Sequence, residues 1–302
     1  MEKMVSIGII GAGIWGSNHA SALSGLGALC CIYDVDIGRA KSIAERHNVK
    51  ALKELDDMLE SNVDGIVLAT PAATHSQIAV KILKAGKGVL IEKPLAINID
   101  QALAIKNAMD VKSRLAVGYE ERFNPAVISL IDCLKRKDGI SLTIYRVGSR
   151  PERIRDVGVV LDTMIHDINI ANYIFGPLKV SNVWSEKDKD GREIFVTATL
   201  EGKAGTAYLV ASWKSRERLR MGIGASPDAV ASSNFITQQS TCLTGGKELA
   251  ESRNKVDLLK AEDEAFIEYL KGRGKFPAGI DDALADMDLA LKILDKIGVS
   301  SK

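Results

Sequence analysis

A glycine-rich phrase near the start constrains the fold more than any other feature of this sequence. Gly11, Gly13 and Gly16 follow the GxGxxG order, directly after an apolar run at 5–10 and directly before an amphipathic segment. Glycines at these spacings allow a tight turn between a strand and a helix, and they let the backbone approach a pyrophosphate at the helix N-terminus. The phrase therefore predicts a dinucleotide-binding βα unit.

An acidic residue at the end of the second apolar run indicates which dinucleotide binds. A carboxylate at Asp34 can accept hydrogen bonds from a ribose diol, and it would repel a 2′-phosphate. NAD is therefore favoured over NADP. Arg39 could meet a 2′-phosphate if Asp34 were displaced, so dual cofactor use is the alternative. Ile14 and Trp15 join the expected cofactor contacts, and Trp15 either covers the pyrophosphate or packs between helix and sheet.

Short apolar runs alternate with amphipathic segments through residues 1–120, a pattern typical of parallel strands joined by crossover helices. We expect a doubly wound Rossmann domain over this range. The expected strands are 5–10, 28–33, 65–69, 88–91 and 115–117, and the expected helices are 14–26, 38–47, 52–59, 76–85 and 99–110.

The remaining residues, 121–302, predict a second domain of the α+β class. Alternating runs separated by glycine and charged turn residues favour an open, mainly antiparallel sheet. The expected strands are 180–184, 193–201, 206–214, 219–224 and 235–243, and the expected helices are 125–137, 161–175, 255–271 and 280–297.

Composition excludes several classes of partner. The 302 residues carry a formal charge of +1, so no electrostatic excess favours nucleic acid or an anionic membrane, and no apolar stretch is long enough for a membrane span. The four cysteines lack metal-ligand spacing, and we expect Cys30 and Cys31 to be reduced core residues. With an early acid and only a short apolar run at the N-terminus, the chain is expected to be cytoplasmic and to hold no metal.

Four further phrases carry a family resemblance. The chain reads ATPAATH at 69–75, IEKPL at 91–95 and DTMIHD at 162–167, and it reads GYEERFNP at 118–125. With these phrases the sequence resembles the glucose-fructose oxidoreductase and inositol dehydrogenase family, whose members share TPxxxH, EKP and a later DxxxHD. The phrases RVG at 146–148 and RIRDVGVVLD at 153–162 are similar to a prokaryotic branch that includes UDP-N-acetylglucosamine 3-dehydrogenases.

The resemblance implies a Rossmann domain followed by a substrate-binding domain whose open sheet builds homodimers or homotetramers. It also implies that the nicotinamide lies beside the EKP lysine, and that the Lys93-Pro94 bond is cis. The cofactor contacts that it adds are Thr70, Pro71, His75, Glu92 and Lys93. Independently, Tyr208, Val210 and Trp213 give one strand more apolar bulk than a solvated face should hold, which favours association through this sheet.

Alcohol oxidation needs a base for the hydroxyl proton and a donor to stabilise the developing alkoxide. Asp162 and His166 are four residues apart, which places them on one face of a regular helix. The family implies that His166 is the acid/base, that Lys93 is its partner at the oxygen and that Asp162 is the orienting group. Which of His166 and Lys93 takes the proton stays open. Asp167 is either a supporting hydrogen-bond partner or solvated.

The expected substrate is a sugar or nucleotide sugar with a ring hydroxyl to oxidise, foremost UDP-N-acetylglucosamine at C3. Arginines at 146–155 favour a diphosphate-linked sugar. The alternatives are a free inositol, polyol or aldose dehydrogenase, and a non-catalytic NAD(H)-binding regulatory protein, which would not need all three catalytic residues. The expected substrate contacts are Lys93, Arg122, Arg153, Arg155, Asp162 and His166.

Overall fold

The computed structural model describes residues 4–135, 137–151, 154, 157–251 and 255–299. Arg153 and Arg155, two of the expected substrate contacts, lie outside the described residues. The chain divides into two compact units. The first comprises Met1–Glu120 and Asp257–Asp281, and the second comprises Glu121–Val256 and Asp282–Lys302.

The first unit contains a parallel sheet with the strand order β3-β2-β1-β4-β5-β6. Strands β1, β4 and β5 are buried along their whole length, as expected when helices cover both faces of a parallel sheet. The elements are β1 Ile7–Ile10, α1 Ile14–Gly25, β2 Leu29–Tyr33, α2 Ile37–His47, β3 Lys50–Leu52, α3 Leu55–Glu60, β4 Gly65–Leu68, α4 Ala72–Lys84, β5 Gly88–Glu92, α5 Ile99–Asn107 and β6 Leu115–Gly118.

The second unit contains a sheet ordered β14-β13-β12-β11-β7-β10-β9-β8 among the described residues. Strands β7 and β10 run parallel, and the other neighbours are antiparallel. Its elements are α6 Pro125–Leu134, β7 Ile140–Ser149, α7 Ile165–Phe175, β8 Leu178–Lys187, β9 Glu193–Gly202, β10 Gly205–Ser212, β11 Lys214–Ser226, β12 Ala229–Asn234, β13 Gln239–Thr244, β14 Lys247–Glu251 and α9 Ile280–Lys296. Helix α8, Leu258–Leu270, lies between β14 and α9 in the chain but belongs to the first unit.

The predicted fold class is therefore confirmed, and several predicted elements differ in detail. Strand β3 and the central strand β7 were not predicted. The single strand predicted at 235–243 is wrong, because β12 and β13 form a hairpin that turns between Asn234 and Gln239.

Helix α8 packs with the first unit, whereas the sequence assigned all of 121–302 to the second domain. Glycines at the starts of two strands explain this arrangement. A Cβ at Gly65 or Gly88 would collide with the side chain of Leu270, and one at Gly65 would also crowd Phe266. The bare backbone at these two positions accommodates the apolar face of α8, which supplies part of the first unit's core.

The cysteines only partly follow the prediction. Cys30 and Cys31 are free, as expected, but Cys30 is exposed rather than part of the core. Cys133 and Cys242 form a disulfide that joins the end of α6 to β13, a pairing that the sequence analysis did not anticipate. The cross-link ties this helix to the sheet that it covers.

One face of the second sheet exposes apolar side chains, while α6 and α7 pack against the same sheet. Trp213 is not part of the exposed face, contrary to the prediction, because only 8% of it is exposed. The side chains that do form this open face are each 43–54% exposed, and they are Trp184, Tyr208, Ile223, Val230 and Leu243. Among the described residues, we find no helix with the length and apolar character to cross a membrane.

Candidate functional site

The turn between β1 and α1 has the geometry that the glycines predict. Gly11 has φ +101°, and a Cβ there would lie 2.5 Å from the carbonyl oxygen of Ala69. A Cβ at Gly16 would overlap the carbonyl of Gly11, whereas one at Gly13 meets nothing within 4 Å. Helix α1 has no side-chain cap and no acid in its first turn. Its N-terminal N–H groups thus have the bare, electropositive surroundings that suit a diphosphate.

Asp34 is held in place at the end of β2. Its two oxygens accept hydrogen bonds from the backbone N–H groups of Ala12, at 2.6 Å, and Asp36, at 2.8 Å. Arg39 forms an ion pair with the same carboxylate at 3.3 Å and also binds Asp36, while 55% of its side chain is exposed. Asp34 therefore fixes the glycine turn as well as offering an acceptor, and Arg39 lies within reach of the same place.

His75 has a different environment from the one predicted. It is buried, and its ring nitrogens lie 2.9 Å from the carbonyl oxygens of Thr70 and Pro94. The ring connects the loop after β4, which contains Thr70 and Pro71, to the EKP segment after β5. His75 therefore joins two loops at the carboxyl edge of the sheet, and its contact with the cofactor stays a prediction.

The EKP segment ends strand β5. The Lys93-Pro94 bond is cis, as the family resemblance implied. The carboxylate of Glu92 is buried, where it accepts from the backbone N–H of Lys93 at 3.2 Å and contacts His19 at 3.0 Å. Glu92 was predicted to contact the cofactor, but its oxygens are directed to these partners inside the first unit.

The two residues between Gly13 and Gly16 lie in the first turn of α1. Ile14 is 61% exposed. Trp15 lines a depression of about 540 Å³, together with Asn18, Glu120 and Lys260 at the start of α8. Trp15 thus lies beside α8.

Asp162 and His166 belong to the second unit, where each is 7% exposed. The helix that carries them opens with a π turn at Val160–Met164 and becomes α-helical at Ile165. A π turn closes over five residues rather than four, so it alters the phase that a regular helix would give these two positions. The sequence pattern did not predict this turn.

A hydrogen-bonded chain leads to the Asp162 carboxylate. Trp213 donates its Nε1–H to the Thr163 hydroxyl oxygen at 3.1 Å, and that hydroxyl donates to Asp162 Oδ2, also at 3.1 Å. Trp213, which directly follows β10, therefore supports Asp162 through Thr163. The sequence did not predict this role.

Gly158 of the RIRDVG phrase has a packing explanation. A Cβ there would overlap the carboxylate of Glu193, which is 2% exposed and accepts from the Val160 N–H at the start of the π turn. Burial raises the pKa of Glu193. The glycine thus leaves room for an acceptor at the helix N-terminus.

A buried ion network anchors the helix beside His166. Arg146 donates to Asp167 at 2.8 Å and to Glu121 at 2.7 Å, and Arg220 reaches Glu121 at 3.4 Å. Burial raises the pKa of Asp167 to about 6 even though Arg146 acts against this shift. For Glu121 burial acts in the same direction, but Arg146 outweighs it and holds the pKa below its usual range. Asp167 is thus a buried supporting residue and is not solvated.

The arginines of the range 146–155 that the structure describes are Arg146 and Arg150, and each is paired with an acidic side chain. Arg146 is 2% exposed in the network above. Arg122, an expected substrate contact, is 8% exposed, stacks 3.5 Å from the Tyr173 ring centroid and reaches Asn169. Arg150 is half-buried and pairs with Asp188 at 3.2 Å. Each of these described arginines already contacts a protein side chain, which weakens the argument that they bind a diphosphate.

Comparison with known proteins gives a consistent picture. Residues 5–119 match the oxidoreductase family with an NAD-binding Rossmann fold. A UDP-N-acetylglucosamine 3-dehydrogenase of Acidithiobacillus ferrooxidans is 29% identical, over 86% of this chain and 87% of the relative. A myo-inositol 2-dehydrogenase of Thermotoga maritima is 32% identical, over 69% and 65%. A solved structure of the Acidithiobacillus dehydrogenase superposes with a TM-score of 0.89 at 25% identity, covering 97% of both chains.

Proposed function

Because the chain belongs to the oxidoreductase family with an NAD-binding Rossmann fold, we propose that it is an NAD-dependent dehydrogenase acting on a ring hydroxyl of a sugar. The favoured substrates are nucleotide sugars, foremost UDP-N-acetylglucosamine oxidised at C3. The observation that carries this choice is the relative named for that reaction, which aligns with 86% of the chain. We also expect the protein to be cytoplasmic and to form a homodimer or homotetramer that associates through the open face.

The residues at the carboxyl edge of the first sheet fit NAD. Gly11, Gly13 and Gly16 would hold the diphosphate against the bare N-terminus of α1, and Asp34 would accept from the adenosine ribose. Thr70, Pro71 and Lys93 complete the proposed contacts. Bound there, NAD supplies the hydride acceptor.

The proposed chemistry needs two side chains at the reacting hydroxyl. His166 removes the hydroxyl proton, and Lys93 donates a hydrogen bond to the oxygen as negative charge develops on it. Asp162 orients the imidazole, and its own position is supported by Thr163. The alternative, in which Lys93 takes the proton, predicts a pH profile that follows the lysine instead.

A second candidate is a free inositol or polyol dehydrogenase. The myo-inositol 2-dehydrogenase of Thermotoga maritima is 32% identical, and the buried state of Arg122 and Arg146 weakens the argument for a diphosphate. A regulatory protein that binds NAD(H) without turnover is the third candidate, and Lys93, Asp162 and His166 argue against it.

A cofactor-reduction assay over UDP-N-acetylglucosamine, other nucleotide sugars, free aldoses and inositols tests the proposal. We expect NADH formation with a nucleotide sugar, and no turnover with any member of the panel would contradict the enzyme assignment. His166→Ala and Lys93→Ala should each lower kcat by on the order of a hundredfold or more, the range of general acid-base groups. Asp162→Asn should lose less, because its role is orientation.

Matched controls separate chemistry from damage to the fold. His47→Ala and Lys84→Ala remove the same side-chain types at helix ends outside the proposed site, and both should keep wild-type turnover. NADH affinity, measured by fluorescence titration, should stay within a few-fold in all variants. Near wild-type turnover of His166→Ala or Lys93→Ala would refute the proposed mechanism while leaving the family assignment intact.

A further inference from the structure

Four titratable side chains meet in the interior of the first unit. His19 lies on α1, Glu92 ends β5, and Glu262 and Asp263 lie on α8. His19 is fully buried, with Nδ1 2.8 Å from Asp263 and Nε2 3.0 Å from Glu92. We call these four residues the His19 cluster. None of them was assigned a chemical role by the proposed mechanism.

The hydrogen bonds require an extra proton in the cluster. A neutral imidazole donates from one nitrogen only, yet both nitrogens of His19 face carboxylates, which accept when ionised. Burial lowers the pKa of His19, but the carboxylates of Asp263 and Glu92 outweigh burial and raise the pKa well above its usual value. Burial also raises the pKa of Asp263, but the charge of His19 and its hydrogen bond act against this shift. We therefore place the extra proton on His19, as an imidazolium that lies between the carboxylates of Asp263 and Glu92.

Glu262 adds a further carboxyl without a further cation. It is fully buried, and neither of its oxygens has a hydrogen-bond partner among the described residues. Burial, together with the nearby carboxylates of Glu92, Asp263 and Glu120, raises the pKa of Glu262 against the opposing effect of His19. A neutral Glu262 leaves one cation between two anions.

The cluster is connected to the EKP lysine through Glu92. One oxygen of Glu92 binds His19, and the other accepts from the Lys93 backbone N–H at 3.2 Å. The carboxylate of Glu92 is therefore held through both of its oxygens.

We propose that His19 is a positioning residue for Lys93: its imidazolium, held by Asp263, fixes the Glu92 carboxylate, which fixes the backbone from which Lys93 projects. This inference rests on the proposed dehydrogenase function. A buried ion pair is often no more stabilising than apolar packing, so stability alone gives little reason for charged groups here. Orientation of the adjacent lysine gives such a reason.

Turnover of His19→Gln tests the inference against a matched variant. Gln keeps one hydrogen bond and removes the bridge between the two carboxylates. We expect kcat to fall at least tenfold, with the substrate KM and NADH affinity within threefold of wild type. Leu23→Ala creates a cavity on the same buried face of α1 without touching Glu92, and should destabilise the fold yet keep kcat within twofold.

A double-mutant cycle that combines His19→Gln with Glu92→Gln shows whether His19 and Glu92 affect kcat through their shared hydrogen bond. If they do, the double variant should lose about as much kcat as the worse single variant. Fully additive losses, or a His19→Gln kcat within twofold of wild type, would overturn the proposal.

NMR spectroscopy can test the positioning role of His19 without a substrate. The chain contains four histidines, so the imidazole nitrogen signals of His19 can be assigned by substitution. We expect His19 to stay protonated to pH 8, and the Lys93 amide resonance to shift in His19→Gln but not in Leu23→Ala. An unshifted Lys93 amide would overturn the positioning role even if no substrate were found.

Metal analysis covers the competing explanation of the cluster. Ligand atoms of His19, Glu92 and Glu262 lie within 4.8 Å of one another, close enough for a divalent cation to draw them together. The metal content of the wild-type protein and of Glu262→Gln decides between the two explanations. One tightly bound metal equivalent in the wild type that is lost in Glu262→Gln would mean that a cation, and not an imidazolium, holds the cluster together, and it would refute the proposal.

Discussion

Replacing Glu262 by Gln should stabilise the protein at neutral pH. An ordinary glutamate has a pKa of 4.5, whereas burial and neighbouring carboxylates raise the pKa of Glu262 well above that value. The unfolded chain at pH 7 is ionised at this residue, so folding must take up a proton. Each pKa unit corresponds to about 1.4 kcal/mol, so a Glu262 that is neutral in the fold at pH 7 makes this uptake cost up to about 3 kcal/mol, for the 2.5 units between its ordinary pKa of 4.5 and pH 7. Gln has a similar shape and needs no proton.

The stabilisation by Glu262→Gln should increase with pH. Between its unfolded and folded pKa values, Glu262 binds more protons in the native state than in the unfolded state, so its contribution to the free energy of unfolding falls as pH rises above 4.5. The advantage of Glu262→Gln should therefore be under about 1 kcal/mol at pH 5 and about 3 kcal/mol at pH 7. His19 is present in both proteins, so its own titration largely cancels in the difference.

Urea unfolding of both proteins at pH 5, 6, 7 and 8 measures this difference. Glu264→Gln is the matched control, because Glu264 is an exposed residue on the same helix, and it should change the free energy of unfolding by less than about 0.5 kcal/mol. If Glu262→Gln is destabilising at pH 7, or its effect does not depend on pH, Glu262 is ionised in the fold and the reasoning fails.

Three further predictions concern the cofactor, the supporting chain and the open face. Asp34→Ala should reduce the preference for NAD over NADP, because it removes the carboxylate that repels a 2′-phosphate; titration with both dinucleotides checks this, and an unchanged ratio would contradict it. Trp213→Phe should lower kcat by roughly fivefold with NADH affinity unchanged, since about 1 kcal/mol is typical of one lost hydrogen bond; a wild-type kcat would exclude the supporting role. Tyr208→Glu should shift light scattering from a multiple of 32.6 kDa towards the monomer, whereas a wild type that is already monomeric would refute association.

Most of the first unit could be predicted because its local patterns agree with its tertiary structure. The glycine turn, Asp34 and the apolar runs each reflect a short-range requirement of a parallel βα fold. Strand β3 was missed because its three residues, Lys50–Leu52, carry no alternation. The return of α8 to this unit depends on Gly65 and Gly88, whose purpose is visible only when Leu270 lies against them.

The buried charges were missed although the sequence contains a signal for each. On α8 the buried positions include Leu259, Glu262, Asp263, Phe266 and Ile267, a helical stripe in which two acids occupy apolar positions. An acid on such a stripe indicates a buried partner, but only the fold identifies it as His19.

Strand β7 contains a comparable signal. Alternation along this strand buries Ile140, Leu142 and Ile144 and then Arg146, so the period of two already directs the arginine inwards. Its partners, Glu121 and Asp167, come from distant parts of the sequence, and no spacing rule connects them. The π turn before α7 was likewise not predicted, and the carboxylate that accepts from its first N–H, that of Glu193, is 33 residues away in the sequence.

The two units anchor their proposed reactive residues by the same physical arrangement. Lys93 follows Glu92, whose carboxylate binds the buried His19, and His166 precedes Asp167, whose carboxylate binds the buried Arg146. Adjacent side chains project in different directions from a strand or helix, so anchoring one fixes the backbone while leaving its neighbour directed elsewhere. An apolar residue at Glu92 or Asp167 could fill the same space, but it would fix the backbone only through packing, which tolerates small shifts. A hydrogen-bonded carboxylate sets both position and rotation, which is what a proton donor or acceptor requires of the residue that carries it.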